Sequence, residues 1–218
     1  MNYLKKSFPR ILFILFGLIA GIVISGVLFA FTGFSIFGGI GGNAPSRLDS
    51  DNAGLTSLSY KVIDYIRDGD YNALSKVAHP EFGVVFSPCA TVNLMTNRQF
   101  MPEQIAGFGD DSNIYIWGVR NGSGEPIEMT PNEYFSMYVN DKDYSAASIV
   151  GVDHIVRSGN ALDNIKDVFV YARFVDFFVA GDDGDSPDDL SWSILRLGFE
   201  EYEGELRLTV IIRSKWTE

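Results

Sequence analysis

The sequence predicts an α+β domain carried behind a single membrane-spanning helix, on three observations. The run from Ile11 to Ile40 holds no charged residue. Leu55, Leu58, Val62 and Ile66 then recur at helical spacing. Towards the end, Val168–Ala180, Trp192–Tyr202 and Leu206–Trp216 read as long strands joined in a meander. Helices early and an antiparallel meander late are the order of an α+β fold.

A helix needs about 20 apolar residues to cross the hydrocarbon core of a bilayer. The reading places a cytoplasmic tail at 1–10, a transmembrane helix at 11–33, a flexible linker at 34–54 and an extracytoplasmic domain at 55–218. A cleaved signal peptide has a shorter apolar core of about 7–15 residues and an Ala-x-Ala-like site. The exit region Gly38–Gly42 followed by Asn43-Ala44-Pro45 offers none. A lipoprotein would need a cysteine just after the apolar run, and the one cysteine is Cys89. Lys5, Lys6 and Arg10 precede the run, which puts the N-terminus in the cytoplasm. Gly17, Gly21 and Ser25 share one helix face, a candidate homodimer contact, although glycine is common in such helices anyway.

Charge bounds the partners. The chain has 17 basic and 28 acidic residues; three basic residues and no acidic one fall in residues 1–42, so the remainder carries a net charge of −14. That is a poor match for nucleic acid or for an anionic lipid surface. One cysteine excludes an intrachain disulfide, which suits the outer face of a bacterial cytoplasmic membrane.

The elements follow in order. Gly69 ends the first helix, and Asp70 caps a second carrying Tyr71, Leu74 and Val77. His79-Pro80 stops it. Val84–Phe86 and Thr91–Met95 read as short strands, Pro102-Glu103-Gln104 as the start of a short helix, and Ile114–Val119 as a strand containing Trp117. Asn121–Gly124 is a turn. Thr130-Pro131-Asn132-Glu133 is a capping box that opens a helix with Tyr134, Phe135 and Tyr138. Asp141–Lys166 reads as loop with short elements. Glu203-Gly204 is a tight turn between the last two strands. In the last strand Leu206, Leu208, Val210, Ile212 and Ser214 share a face, so Trp216 is expected to close the core on the same side.

Candidate sites are sparse. His79 is the candidate general base, although a helix-terminating histidine whose ring bonds a nearby carbonyl explains it as well. His154 follows Asp153 in a polar loop, Ser123 lacks the strand–turn–helix setting of a nucleophile elbow, and Cys89 has no basic neighbour to make it a thiolate. Asp182, Asp183 and Asp185 are candidate calcium ligands, but their spacing misses the EF-hand pattern and a solvated loop accounts for them. Zinc and other cofactors are not expected. Trp117, Arg196, Arg213 and Trp216 are candidate ligand-binding residues of a concave sheet; aromatic core is the plainer account of the tryptophans.

The block His79-Pro80-Glu81-Phe82-Gly83-Val84-Val85-Phe86-Ser87-Pro88 resembles the core of an uncharacterised family of bacterial exported proteins and lipoproteins. Trp117-Gly118, Gly122-Ser123-Gly124-Glu125-Pro126, Ser158-Gly159-Asn160 and Lys215-Trp216-Thr217 resemble it too. The order of elements is similar to the NTF2-like, cystatin-like cone of helices against a curved antiparallel sheet. That resemblance implies no particular chemistry, because fold alone does not decide activity. The leading expectation is a membrane-anchored binding or assembly domain with an unknown protein or small ligand as partner. The alternative is an NTF2-like enzyme using a cone pocket with His79 as base.

The charge flanks make topology testable. A reporter fused after Glu218 is expected to be active only outside the cytoplasm, and intact mass of the membrane-extracted chain to include residues before 45. Cytoplasmic reporter activity would reverse the orientation.

Overall fold

The computed structural model describes residues 47–181 and 189–216. The expected membrane helix, with Gly17, Gly21 and Ser25, lies outside the described residues, as do Asp182, Asp183 and Asp185. Among the described residues no helix is long and apolar enough to cross a membrane.

Helix α1 spans Arg47–Asp68 and buries Leu55, Val62 and Ile66. It begins inside the stretch expected as linker 34–54, which is corrected here. Ser50 and Asp51 of its first turns are exposed, so no apolar stripe marks them. Asn52 is nevertheless tied to the sheet, its Oδ1 accepting from Arg173 Nη2 at 2.5 Å. Gly69 follows at φ 65°, a left-handed turn free of Cβ strain in glycine. Asp70 Oδ1 then accepts from the Ala73 N–H at 2.9 Å and caps α2, Tyr71–Val77.

The strands are β1 (Val84–Ser87), β2 (Arg98–Phe100), β3 (Tyr115–Val119), β4 (Pro126–Met129), β5 (Ile149–Val152), β6 (Arg173–Val179), β7 (Ser193–Tyr202) and β8 (Glu205–Lys215). Between them lie the short helices α3 (Pro102–Ala106), α4 (Pro131–Tyr134) and α5 (Ile165–Val168). Six strands form one sheet in the order β2-β1-β8-β7-β6-β5, antiparallel except where β1 runs parallel to β8. β3 and β4 form a separate antiparallel pair. The domain is therefore α+β with a mostly antiparallel sheet.

Both faces of the sheet are covered. The inner face packs Val175, Phe177, Leu195, Leu197, Phe199, Leu208 and Ile211 against α1 and α2. The outer face packs Val85, Phe174, Val210 and Ile212 against Ile165 and Phe169, from the segment that joins β5 to β6.

Strand β8 departs from simple alternation. Phe199 pairs with Leu208 but Gly198 pairs with Val210, so Thr209 is an extra residue in the ladder. It is buried and its Oγ1 donates to the Gly198 carbonyl at 3.2 Å. A bulge of this kind shifts every later side chain to the opposite face. Leu208, Ile211 and Arg213 therefore face inward, while Val210 and Ile212 face outward. The expected single face from Leu206 to Trp216 is corrected on this ground. Trp216 follows the end of the strand and is 37% exposed, so it does not close the core.

Two other expectations change. Thr91–Met95 is a turn, because Asn93 Oδ1 accepts from the Met95 N–H at 3.0 Å and its carbonyl from Asn97 at 2.7 Å; the strand falls at Arg98–Phe100 instead. Val168 ends α5, so β6 starts only at Arg173. The caps hold as expected: Thr130 N–H donates to Glu133 Oε2 at 2.9 Å, and Glu203 and Gly204 turn the last hairpin at φ 53° and 81°.

Gly198 sits opposite Val210 at the bulge, where an added Cβ would lie 2.5 Å from Val210 Cγ1. Gly198→Ala is expected to destabilise the fold by about 1–3 kcal/mol through overpacking. Denaturant unfolding measures it, and an unchanged midpoint would mean that the bulge accommodates a methyl group.

Candidate functional site

A cleft of about 660 Å³ opens at the end of the sheet where β1 and β8 finish and β7 begins. One wall is the sheet end: Pro88 and Cys89 after β1, Leu190 before β7, Arg213 and Lys215 from β8, and Trp216 just after it. Val119, Arg120 and Ile127 of the β3–β4 pair form the other wall, and Tyr138 reaches in from the helical side.

Tyr138 is placed by an aromatic stack. Helix α4 runs into a π-helical turn, Phe135–Val139, which sets Tyr138 beside Tyr134. The Tyr134 ring lies 3.9 Å from that of Trp117 at 4° and 5.1 Å from that of Tyr138 at 9°. Trp117 is fully buried and anchors the stack, its Nε1 donating to the Met129 carbonyl at 2.9 Å. Burial pushes the Tyr134 hydroxyl well above the usual tyrosine range. The Arg213 guanidinium closes the series, 5.4 Å from the Tyr138 ring centroid.

Arg213 is held from behind. Its Nε donates to Asp141 Oδ2 at 2.9 Å, and Nη2 donates to the same oxygen. Asp141 Oδ1 accepts from the Tyr144 hydroxyl at 2.6 Å, and that hydroxyl also meets Ser193 Oγ at 2.8 Å. Burial first, and the Asp141 charge second, push the Tyr144 hydroxyl up, so it stays a neutral donor. Lys215 lies two residues on, on the same face, and its ammonium is held below the ordinary lysine range by burial first and by Arg213 second.

Arg196, the second arginine expected in a pocket, belongs elsewhere. It is fully buried on the outer side of the sheet, directly across from Asp176. Its Nε donates to Asp176 Oδ1 at 2.5 Å and its Nη2 to Oδ2 at 2.9 Å, while Nη1 donates to Asp163. The Val156 N–H adds a bond to Asp176 Oδ2 at 3.1 Å. This cluster pins the segment covering the outer face at two points. Burial pushes the Asp176 carboxyl up, and the Arg196 fork opposes that shift.

The structure thus brings Arg213 and Trp216 together and separates them from Trp117 and Arg196. His79 does not line the cleft. Its Nδ1 accepts from the Phe82 N–H at 3.0 Å and the Glu81 N–H at 3.3 Å, which puts the proton of the neutral ring on Nε2. Cys89 does line it, but burial pushes its thiol up and away from the reactive thiolate. Ser123 Oγ accepts from the Glu125 N–H in the β3–β4 turn, and His154 is exposed. Among the described residues, no group of three or more His, Cys, Asp or Glu is placed to hold a metal ion.

The sequence offers no reading of Lys215, Arg120, Tyr138 or Asp141 as ligand-binding residues. Lys215 is two residues from Arg213 in a strand, a spacing that puts both on one face. No sequence signal joins Asp141 to Arg213 across 72 positions.

No family model and no curated protein matches the chain. Solved structures align over most of it. One is a DUF4783 family protein from Bacteroides ovatus, at 12% identity and a TM-score of 0.28, covering 72% of this chain and 94% of that one. Another is Aln2 from a Streptomyces species, at 10% identity and a TM-score of 0.33, covering 78% and 93%. A third, from Xanthomonas campestris, is described as a calcium/calmodulin dependent protein kinase II association domain. It is 15% identical with a TM-score of 0.35, covering 80% and 94%.

The Arg196 cluster has a direct stability test. Asp176→Ala leaves a buried guanidinium with half its partners and is expected to cost about 3–5 kcal/mol, whereas replacing the whole cluster, Asp176→Leu with Arg196→Met and Asp163→Asn, costs much less because no buried charge is left unpaired. Thermal unfolding of the two variants measures the difference. Equal losses would show that the cluster acts only as packing.

Proposed function

We propose that the chain is a membrane-anchored binding domain on the outer face of a bacterial cytoplasmic membrane, with an NTF2-like cone whose mouth is the cleft beside Trp216. The single observation that carries the binding reading is the cleft itself. Its volume lies in the range of small-molecule sites, about 300–1,000 Å³. Its residues come from β1, the β3–β4 pair, the π-helical turn and β8, so the fold holds several converging side chains in place.

The cone form is supported by α1 and α2 packing on the inner face of the sheet and by the mouth lying at the sheet end. The anchor and the outside location rest on Ile11–Phe31 and the basic residues before it. Binding is preferred to catalysis because the hydroxyl of Ser191 in the lining is tied into a local turn, its Oγ and N–H both donating to Asp189 Oδ1. Cys89 is held as a thiol, and the Nδ1 of His79 is occupied by its own turn.

Three tryptophans give the test its readout, because Trp117 and Trp192 are buried while Trp216 is exposed at the cleft. The full chain, labelled with 5-fluorotryptophan and held in zwitterionic lipid nanodiscs, is titrated with a small-molecule fragment library. Hits are expected to shift the fluorine resonance lost in Trp216→Phe and to leave the other two unmoved. A library without such hits, or hits that move only the buried pair, would set the cleft reading aside.

A further inference from the structure

Resting on the cleft as a binding site, the charges around it specify the ligand. The protein has more acidic than basic residues, 28 against 17, yet Arg120, Arg213 and Lys215 converge on one cleft, and none of the described residues lining it is acidic. Of the acids close behind, Asp141 is spent on Arg213, since both its bonds to that arginine end on Oδ2 and Tyr144 occupies Oδ1, while Asp189 Oδ1 accepts from the N–H and Oγ of Ser191. The clamp takes Nε and Nη2 and leaves Nη1 without a protein acceptor among the described residues. Lys215 has no carboxylate within ion-pair distance among them either. Cations held side by side with one carboxylate among them repel each other, which an incoming anion relieves. The rest of the lining combines an apolar part, the Trp216 and Tyr138 rings with Leu190 and Ile127, and the neutral polar residues Asn121, Ser123 and Ser191.

We infer that the cleft binds a small organic acid, its anionic head on Lys215 Nζ and the open Nη1 edge of Arg213, and its apolar body against Trp216 and Tyr138. A bare inorganic anion would use only the cations and leave the apolar wall wet. A neutral apolar molecule would use only the wall. The Asp141–Tyr144–Ser193 chain makes the arginine a fixed donor rather than a mobile one, so little side-chain freedom is lost when the acid binds.

The test compares three probes by calorimetry on the full chain in zwitterionic nanodiscs, with empty discs subtracted: 2-naphthoate, its neutral isostere 2-naphthamide, and acetate. Naphthoate is expected to bind about tenfold or more tighter than naphthamide, the worth of a charge-assisted hydrogen bond. Lys215→Met should reduce that preference to about twofold or less, while Lys215→Arg keeps it. Lysine is chosen because Arg213→Met would strand Asp141. Raising the salt concentration should weaken naphthoate and leave naphthamide unchanged. If naphthoate and naphthamide bind equally, the inference is overturned and the cleft survives as an apolar site. Acetate binding as tightly as naphthoate overturns it in favour of an ion site without an apolar subsite. If no probe binds, the organic-acid inference fails outright, and the tryptophan resonances decide the cleft reading separately.

Discussion

One extra residue in strand β8 organises the rest of the molecule. Thr209 is inserted between Leu208 and Val210 relative to β7, and its hydroxyl is satisfied by the Gly198 carbonyl. Before the bulge, Leu208 faces the helices; after it, Ile211, Arg213 and Lys215 take that side. Val210 and Ile212 are turned outward, where Ile165 and Phe169 cover them. Without the shift, Ser214 would point to the cleft and two basic side chains would point under the outer segment. The parallel pairing of β1 locks the same register, matching Val85 to Val210 and Phe86 to Ile211 so that each pair falls on the right face.

The two sides of the sheet use arginine for opposite ends. Arg196, on the outer side, is enclosed by two carboxylates and a phenylalanine ring and has no exposed surface. Its charge is fully compensated, and its effect is to fix where the covering segment lies. Arg213, on the inner side, has a single carboxylate behind it and a solvent-reaching cleft in front. The difference is the number of acids each meets. A paired and enclosed charge is structure; a half-paired one at an opening is available to a ligand. The stack from Trp117 through Tyr134 to Tyr138 joins these levels, because the same rings that fill the core end beneath Arg213.

Much of the fold was legible in local chemistry. Asp70, Thr130-Glu133 and Glu203-Gly204 act through neighbours within four positions, and each does what its residue type dictates. Leu195, Leu197 and Phe199 alternate on β7 without interruption, so period two read their face correctly. Two of the three misreadings share a cause, a partner strand that the local sequence does not show, and the third is a local turn. Thr209 looks like any strand threonine, and only its partner strand shows that it is unmatched. Ile149–Val152 is too short and too near polar sequence to stand out, and it becomes a strand by pairing with β6. Thr91–Met95 has strand-like residues, yet the Asn93 side chain closes a turn first.

By itself the sequence determined the apolar run before the domain, the acidic balance after it, the helix caps, the final hairpin and the α+β order of elements. Each of these depends on composition or on contacts between near neighbours along the chain. Only the tertiary structure decided which side chains meet at the cleft. Arg213 finds Asp141 across 72 positions, and Tyr144 finds Ser193 across 49. Trp216 does not continue the face of Leu208, because a bulge seven residues earlier reversed the strand's faces and the strand ends at Lys215, leaving the ring at the cleft. Side-chain direction in a sheet is inherited from every pairing before it, and pairing is a property of two strands at once.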